Sequence, residues 1–169
     1  AIGTAQTPPN IVLIGISLFL TFFIMSPILQ TVYNDAAIPY IDEDISAEQA
    51  IDVALSPIRT FMITQTREDD LMIFSDIGEY AYDGDEENIP LSVLIPSFMT
   101  SELKTAFTIG FLIYIPFVII DLIVASVLMS MGMMMLSPMM ISMPFKLMLF
   151  VLADGWILIM QSLTASFAL

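Results

Sequence analysis

The chain has 169 residues, 57% of them hydrophobic, with eighteen acidic side chains against four basic ones and a formal charge of -14. That is too apolar for a soluble domain, where about half apolar and about a quarter charged is usual, so the composition implies an integral membrane protein or a deeply buried subunit. The charge repels phosphate backbones and argues against nucleic acid as a partner.

In chain order, Thr7-Pro-Pro-Asn10 reads as a helix start, because proline is tolerated in a first turn that needs no backbone donor. No signal peptide is visible before it, since Ala1 opens without a charged n-region. The uncharged run Ile11 to Leu29 is about long enough to cross a bilayer core, and Pro27 is expected to kink or end it. From Asp35 to Asn88 the chain turns polar and acidic, the pattern of a water-exposed segment lying on something apolar. Ser46 and Gln49 fit a capping box, Ile51, Ala54, Leu55 and Ile58 fall on one helical face, and Pro57 implies a kink or a new start. Asp83-Gly-Asp-Glu-Glu-Asn88 is a loop by composition, without the ligand spacing of a calcium loop.

Apolar sequence resumes at Pro90, and Glu102 and Lys104 stand at the mouth of a run from Thr105 to Leu136. Residues two apart on a helix do not face each other, so each of these charges needs another partner. The run exceeds one straight span and contains Pro116 and Asp121, which predicts a kinked helix or two segments with Asp121 turned inward. Ser137-Pro138 breaks the pattern. It resumes at Met139 as a last helix on which Lys146 and Asp154, eight residues apart, share a face. No strand-like alternation occurs, so the expected fold is all-α, with membrane-type helical hairpins and kinked helices. Its expected parts are an N-terminal apolar helix (1–34), an acidic, mostly polar helical insertion (35–100) and a C-terminal hairpin with a methionine-rich loop (101–169).

Cysteine and histidine are both absent. That removes disulfides, thiolate metal sites, Cys or His nucleophiles and imidazole acid-base chemistry together. No Gly-rich phosphate loop, metal-ligand spacing or nucleophile-base pair stands out either, so the chain reads as a non-enzyme without a cofactor. Function is then sought in the methionines and in the charges set in apolar sequence.

Nine of the fourteen methionines lie between Met129 and Met148. Scattered methionines fill ordinary interiors or face lipid, but the consecutive Met133, Met134 and Met135 cannot all join one face of a helix. In a loop between helices, three flexible, polarizable side chains can line a constriction that closes by excluding water. A thioether copper(I) site, in a metal or small-solute carrier, is the competing chemistry, with the missing Cys and His counting against it. Glu102 and Lys146 flank the hairpin on opposite arms, and pairing between adjacent copies would satisfy both. Lys104, Asp121 and Asp154 are further charges beside or within the apolar runs. For Asp121 and Asp154, structural pairing and a proton path are both open.

Several stretches resemble the FliP family of flagellar export-apparatus proteins: Thr100-Ser-Glu-Leu-Lys-Thr-Ala-Phe107, Ile115-Pro-Phe-Val-Ile-Ile-Asp121, Met131-Gly-Met-Met-Met135 and Pro144-Phe-Lys146 through Asp154-Gly-Trp156. Ala5-Gln-Thr-Pro-Pro-Asn10 and Leu18 through Pro27 are similar to it too. The resemblance implies a multi-pass core subunit of the type III secretion export gate in the bacterial inner membrane, within the flagellar basal body, with the complex protruding on the periplasmic side. It implies a homo-oligomeric ring of about five copies joined by FliQ and FliR around a path for unfolded flagellar substrates. FlhA and FlhB would supply the cytoplasmic side, and FliO would assist assembly. Carried over by position, Met133, Met134 and Met135 would form a gasket around the pore, and Glu102 with Lys146 a contact between neighbouring subunits. Family members also carry a signal sequence and an apolar segment before the position of Ala5.

Overall fold

The computed structural model describes residues 8–80, 89–133 and 135–167. Thr7 and the residues before it, the acidic loop Asp83–Asn88 and Met134 lie outside the described residues. Every regular element among those described is helical, so the chain is all-α as its sequence pattern predicts.

Helix α1, Asn10–Val32, begins directly after Pro8-Pro9, and the Pro9 carbonyl accepts from the Val12 amide at 2.9 Å. Pro27 does not end it. One ladder bond is lost at that proline, whereas stopping an apolar helix there would open four carbonyls at once. Ser17 and Thr31 hydroxyls instead donate back to the carbonyls of Leu13 and Pro27. The chain continues through a π-helical turn, Tyr33–Ala37, into the short helix α2, Ile38–Ile41. The wider turn, closed by the Ile38 amide on the Tyr33 carbonyl, falls just before Pro39, whose missing N–H would leave a gap in an α ladder.

Helix α3, Ala47–Gln65, opens on the expected capping box: the Gln49 amide donates to Ser46 Oγ at 3.3 Å and the Ser46 amide to Gln49 Oε1 at 3.0 Å. It runs through Pro57 without restarting. Helix α4, Glu68–Ile77, follows, and its first turn carries Glu68, Asp69 and Asp70, where the helix dipole favours acids.

Helix α5, Leu91–Ser130, is 40 residues long, one continuous helix where two segments were an alternative. It ends in a Schellman motif. Gly132 takes a φ of 75°, its amide donates to the Met129 carbonyl, and the Met133 amide donates to the Leu128 carbonyl at 3.0 Å. Helices α6, Pro138–Leu152, and α7, Gly155–Ala165, are bent by 61° at the break between them.

That break corrects the expectation that Lys146 and Asp154 share a face of one helix. α6 stops at Leu152, and Asp154 adopts a left-handed conformation, φ 49° and ψ 46°. The cause lies next door: Gly155 is buried, and a Cβ on it would stand 2.3 Å from the Phe150 ring. Phe150 in turn meets Trp156 edge-on, with ring centroids 5.6 Å apart. Gly155→Ala is therefore expected to destabilise this corner by about 1–3 kcal/mol through overpacking, read as a lower unfolding temperature in detergent.

Two compact units divide the described residues: 8–18 with 106–166, and 19–105 with Phe167. The second has a hydrophobic core of Met62, Leu71, Ile89, Val93 and Leu94, with Phe61 and Phe98 packed edge-on beside it. The helix runs Asn10–Ile41 and Leu91–Ser130 are each long and apolar enough to cross a membrane, and α6 with α7 adds a third span if the bent pair counts as one. Large apolar side chains such as Phe19, Phe107 and Leu152 are about three-quarters exposed, as expected of surfaces that meet lipid or protein partners and not water.

Candidate functional site

Three constellations stand out, and the first is polar. On α5, Ser97, Ser101, Lys104 and Thr105 recur at three- and four-residue spacing and so share a face. Ser97 and Ser101 are wholly buried, and such small residues let the start of α4 approach closely. Asp70, 1% exposed, accepts from Ser101 Oγ at 2.8 Å through one oxygen and from the Lys104 ammonium through the other. Ser101 Oγ also accepts the Arg67 amide at 2.9 Å, while the Arg67 guanidinium donates to the Ser101 carbonyl at 2.8 Å and to Thr105 Oγ1 at 2.9 Å. The Lys104 ammonium bonded to Asp70 holds its carboxyl below the usual carboxylate range, with burial opposing and Ser101 assisting. The Asp70 carboxylate is thus held ionised, a structural clasp between α4 and α5.

In the other unit, Ser142 and Lys146 lie one turn apart on α6, and both are buried. Both reach Asp121 on α5: Ser142 Oγ donates to one carboxylate oxygen, and Lys146 Nζ donates to the other at 2.6 Å. Only 2% of the Lys146 side chain is exposed, against 30% for Asp121. A membrane-length helix therefore carries a charge that its own hairpin neutralises.

The third constellation is the loop between α5 and α6. Gly132 closes the helix, and the loop then presents Met133, 41% exposed, and Met135, fully exposed. Met134 lies between them, outside the described residues. Methionine thioethers exposed in this way are flexible enough to press against varied shapes.

Of the remaining predicted residues, Glu102 is partly buried on α5, and among the described residues it makes no hydrogen bond or ion pair; the positive charge acting on it is Arg67. Lys104 finds its partner in Asp70. Asp154 is exposed, and its side chain caps nothing, although its carbonyl starts α7 by accepting from Ile157 and Leu158. Among the described residues no three carboxylates come together as a metal site. Sequence reasoning missed Asp70, Ser101 and Ser142. The available signal was the four-residue spacing that puts Ser97, Ser101 and Thr105, and Ser142 with Lys146, on single faces.

The model of the FliP family matches residues 1–163. The chain is similar to the "Flagellar biosynthetic protein FliP" of Pectobacterium carotovorum subsp. carotovorum, 56% identical over 167 residues that cover 99% of this chain and 65% of that relative. It is likewise 56% identical to the protein of that name from Buchnera aphidicola subsp. Baizongia pistaciae, covering 46% of it, and 53% identical to that of Bacillus subtilis strain 168, covering 76% of it. The chain thus spans roughly half to two-thirds of the length of the first two relatives.

Proposed function

The chain belongs to the FliP family, and from that premise we propose that it is a core subunit of the flagellar type III protein export gate in the bacterial inner membrane. In this reading about five copies form a ring with FliQ and FliR, protruding on the periplasmic side, around a path for unfolded flagellar proteins. FlhA and FlhB supply its cytoplasmic side, and FliO assists assembly. The membrane-length helices and the largely apolar exterior support a location in the bilayer and inside an assembly.

The observation that carries the gate reading is the glycine-closed loop with Met133 and Met135 exposed between two apolar helices. Methionine suits a seal: it presses against itself in an empty channel and deforms around any unfolded chain without specific bonds. The Glu102 side chain, which has no bonded partner among the described residues, would be satisfied by Lys146 of a neighbouring copy, whose ammonium has donors left after Asp121.

Native mass spectrometry of the chain co-expressed with FliQ and FliR, with metal analysis on the same sample, tests the assembly. A metal-free complex with several copies and both partners is expected. A homo-oligomer that ignores them and carries copper would replace the gate with a copper(I) carrier. For the seal, replacing Met133, Met134 and Met135 together with alanine is expected to raise small-ion conductance through the closed, reconstituted complex well above that of the parent. Unchanged conductance would count against the gasket.

A further inference from the structure

The π turn and α2 on one side and α3 on the other enclose an open groove of about 370 Å³. Five alanines line it, among them Ala36, Ala47 and Ala50, together with Tyr40 and Ile51. Its floor is apolar and shallow, the kind of surface against which a helix backbone can lie closely.

The surroundings are of one sign. Asp35 sits in the π turn, the turn joining the two walls carries Asp42, Glu43 and Asp44, and Glu48 and Asp52 each follow a lining residue of α3 by one position. All six are exposed, and no lysine or arginine occurs before Arg59.

A second copy of the chain is a poor source of the missing charge: it carries eighteen acidic side chains against four basic ones, so two copies of net charge -14 repel each other at this rim. The run Asn10–Ile41 is 32 residues long, more than the roughly 20 a bilayer core needs, and its one charge, Asp35, lies near the C-terminal end, which is therefore the end suited to water. With no strand edge among the described residues, and one aromatic side chain in the lining, strand addition and polyproline docking have nothing to use.

We propose that this groove binds a short basic amphipathic helix of a partner protein, its aliphatic side chains seated on the alanines and its Lys or Arg side chains against the acidic rim. The proposal does not depend on the pore reading, since none of its residues belongs to the methionine loop or to the buried ion pairs.

The absence of cysteine permits a direct test on the whole chain in nanodiscs of neutral lipid. Ala47→Cys and, separately, Tyr40→Cys place one thiol on either wall, both at exposed positions; Ile77→Cys, exposed and outside the lining, is the control. The probe is a peptide of about 18 residues, or five helical turns, with leucine on one face and lysine on the other. Maleimide labelling of both groove thiols is expected to slow about tenfold at a peptide concentration about ten times its Kd, with Ile77→Cys unaffected. High salt, or Glu48→Gln with Asp52→Asn, is expected to abolish the protection. Equal protection by a scrambled peptide of the same composition, or of the control thiol, would reduce the effect to binding at the lipid surface and overturn the proposal. Disulfide-linked dimers of Ala47→Cys forming as readily with peptide as without it would make the occupant a second copy, and would overturn it equally.

Discussion

Replacing Lys146 with alanine is expected to destabilise the folded chain by about 3–5 kcal/mol, the cost of breaking a buried ion pair from one side. The substitution strands the Asp121 carboxylate, which keeps only the Ser142 hydroxyl and lies within an apolar, membrane-length helix. Asp121→Ala should cost more than Lys146→Ala, because the group it strands is the more buried: 2% of the Lys146 side chain is exposed, against 30% for Asp121. Removing both charges, as Asp121→Leu with Lys146→Met, is expected to recover most of the loss, since a packed apolar pair carries no desolvation penalty. Unfolding of the purified single chain in detergent reads all three. If Lys146 serves mainly a neighbouring copy's Glu102, its alanine variant will leave that unfolding unchanged and weaken only ring assembly, which contradicts the expectation. Glu102→Ala should show the reverse pattern, a lesion in assembly with little effect on the isolated chain.

The unequal legibility of this hairpin has a physical cause. A charge in apolar sequence announces itself, so Asp121, Lys146, Glu102 and Lys104 all stood out, but a sequence does not say which charge a second one meets. Asp121 and Lys146 are brought together by the reversal at Gly132, 25 residues of separation that no helical periodicity spans. Local signals fared better. The Ser46 and Gln49 box starts α3 as expected, because both partners lie within one turn. Of the outcomes expected at Pro27 and Pro57, an end or a new start does not occur, since apolar helices carry on through a missing donor sooner than open their ends. Between α6 and α7 the break falls at Ala153-Asp154, just before Gly155, where the Phe150 ring excludes a side chain that the pattern alone leaves room for. Asp70 was hidden by its company: the last of three consecutive acids looks solvated until the α5 serines are seen to take it in.

Asp70 is where the chain's acidity should become visible in its stability. Asp70→Ala is expected to cost about 3 kcal/mol, the low end for a broken buried pair, because the Lys104 it releases is 52% exposed and regains water. Ser101 and the Arg67 end of α4 lose their acceptor network at the same time. The pH dependence has a definite sign. The folded-state pKa of Asp70 lies below its unfolded value, with the Lys104 hydrogen bond as the leading cause, so its contribution is fully present above the unfolded value of about 3.9. It is lost as the pH falls below that value and through the folded pKa. Across neutral pH the difference in unfolding temperature between the parent chain and Asp70→Asn should therefore be constant, and below about pH 4 it should shrink. Taking the difference between the two proteins cancels the other carboxylates, which titrate in both. A gap that stayed constant to the acid limit would mean that Asp70 binds its proton equally well in the folded and unfolded chains, and that the Lys104 bond gives the ionised carboxylate no net advantage over the neutral one.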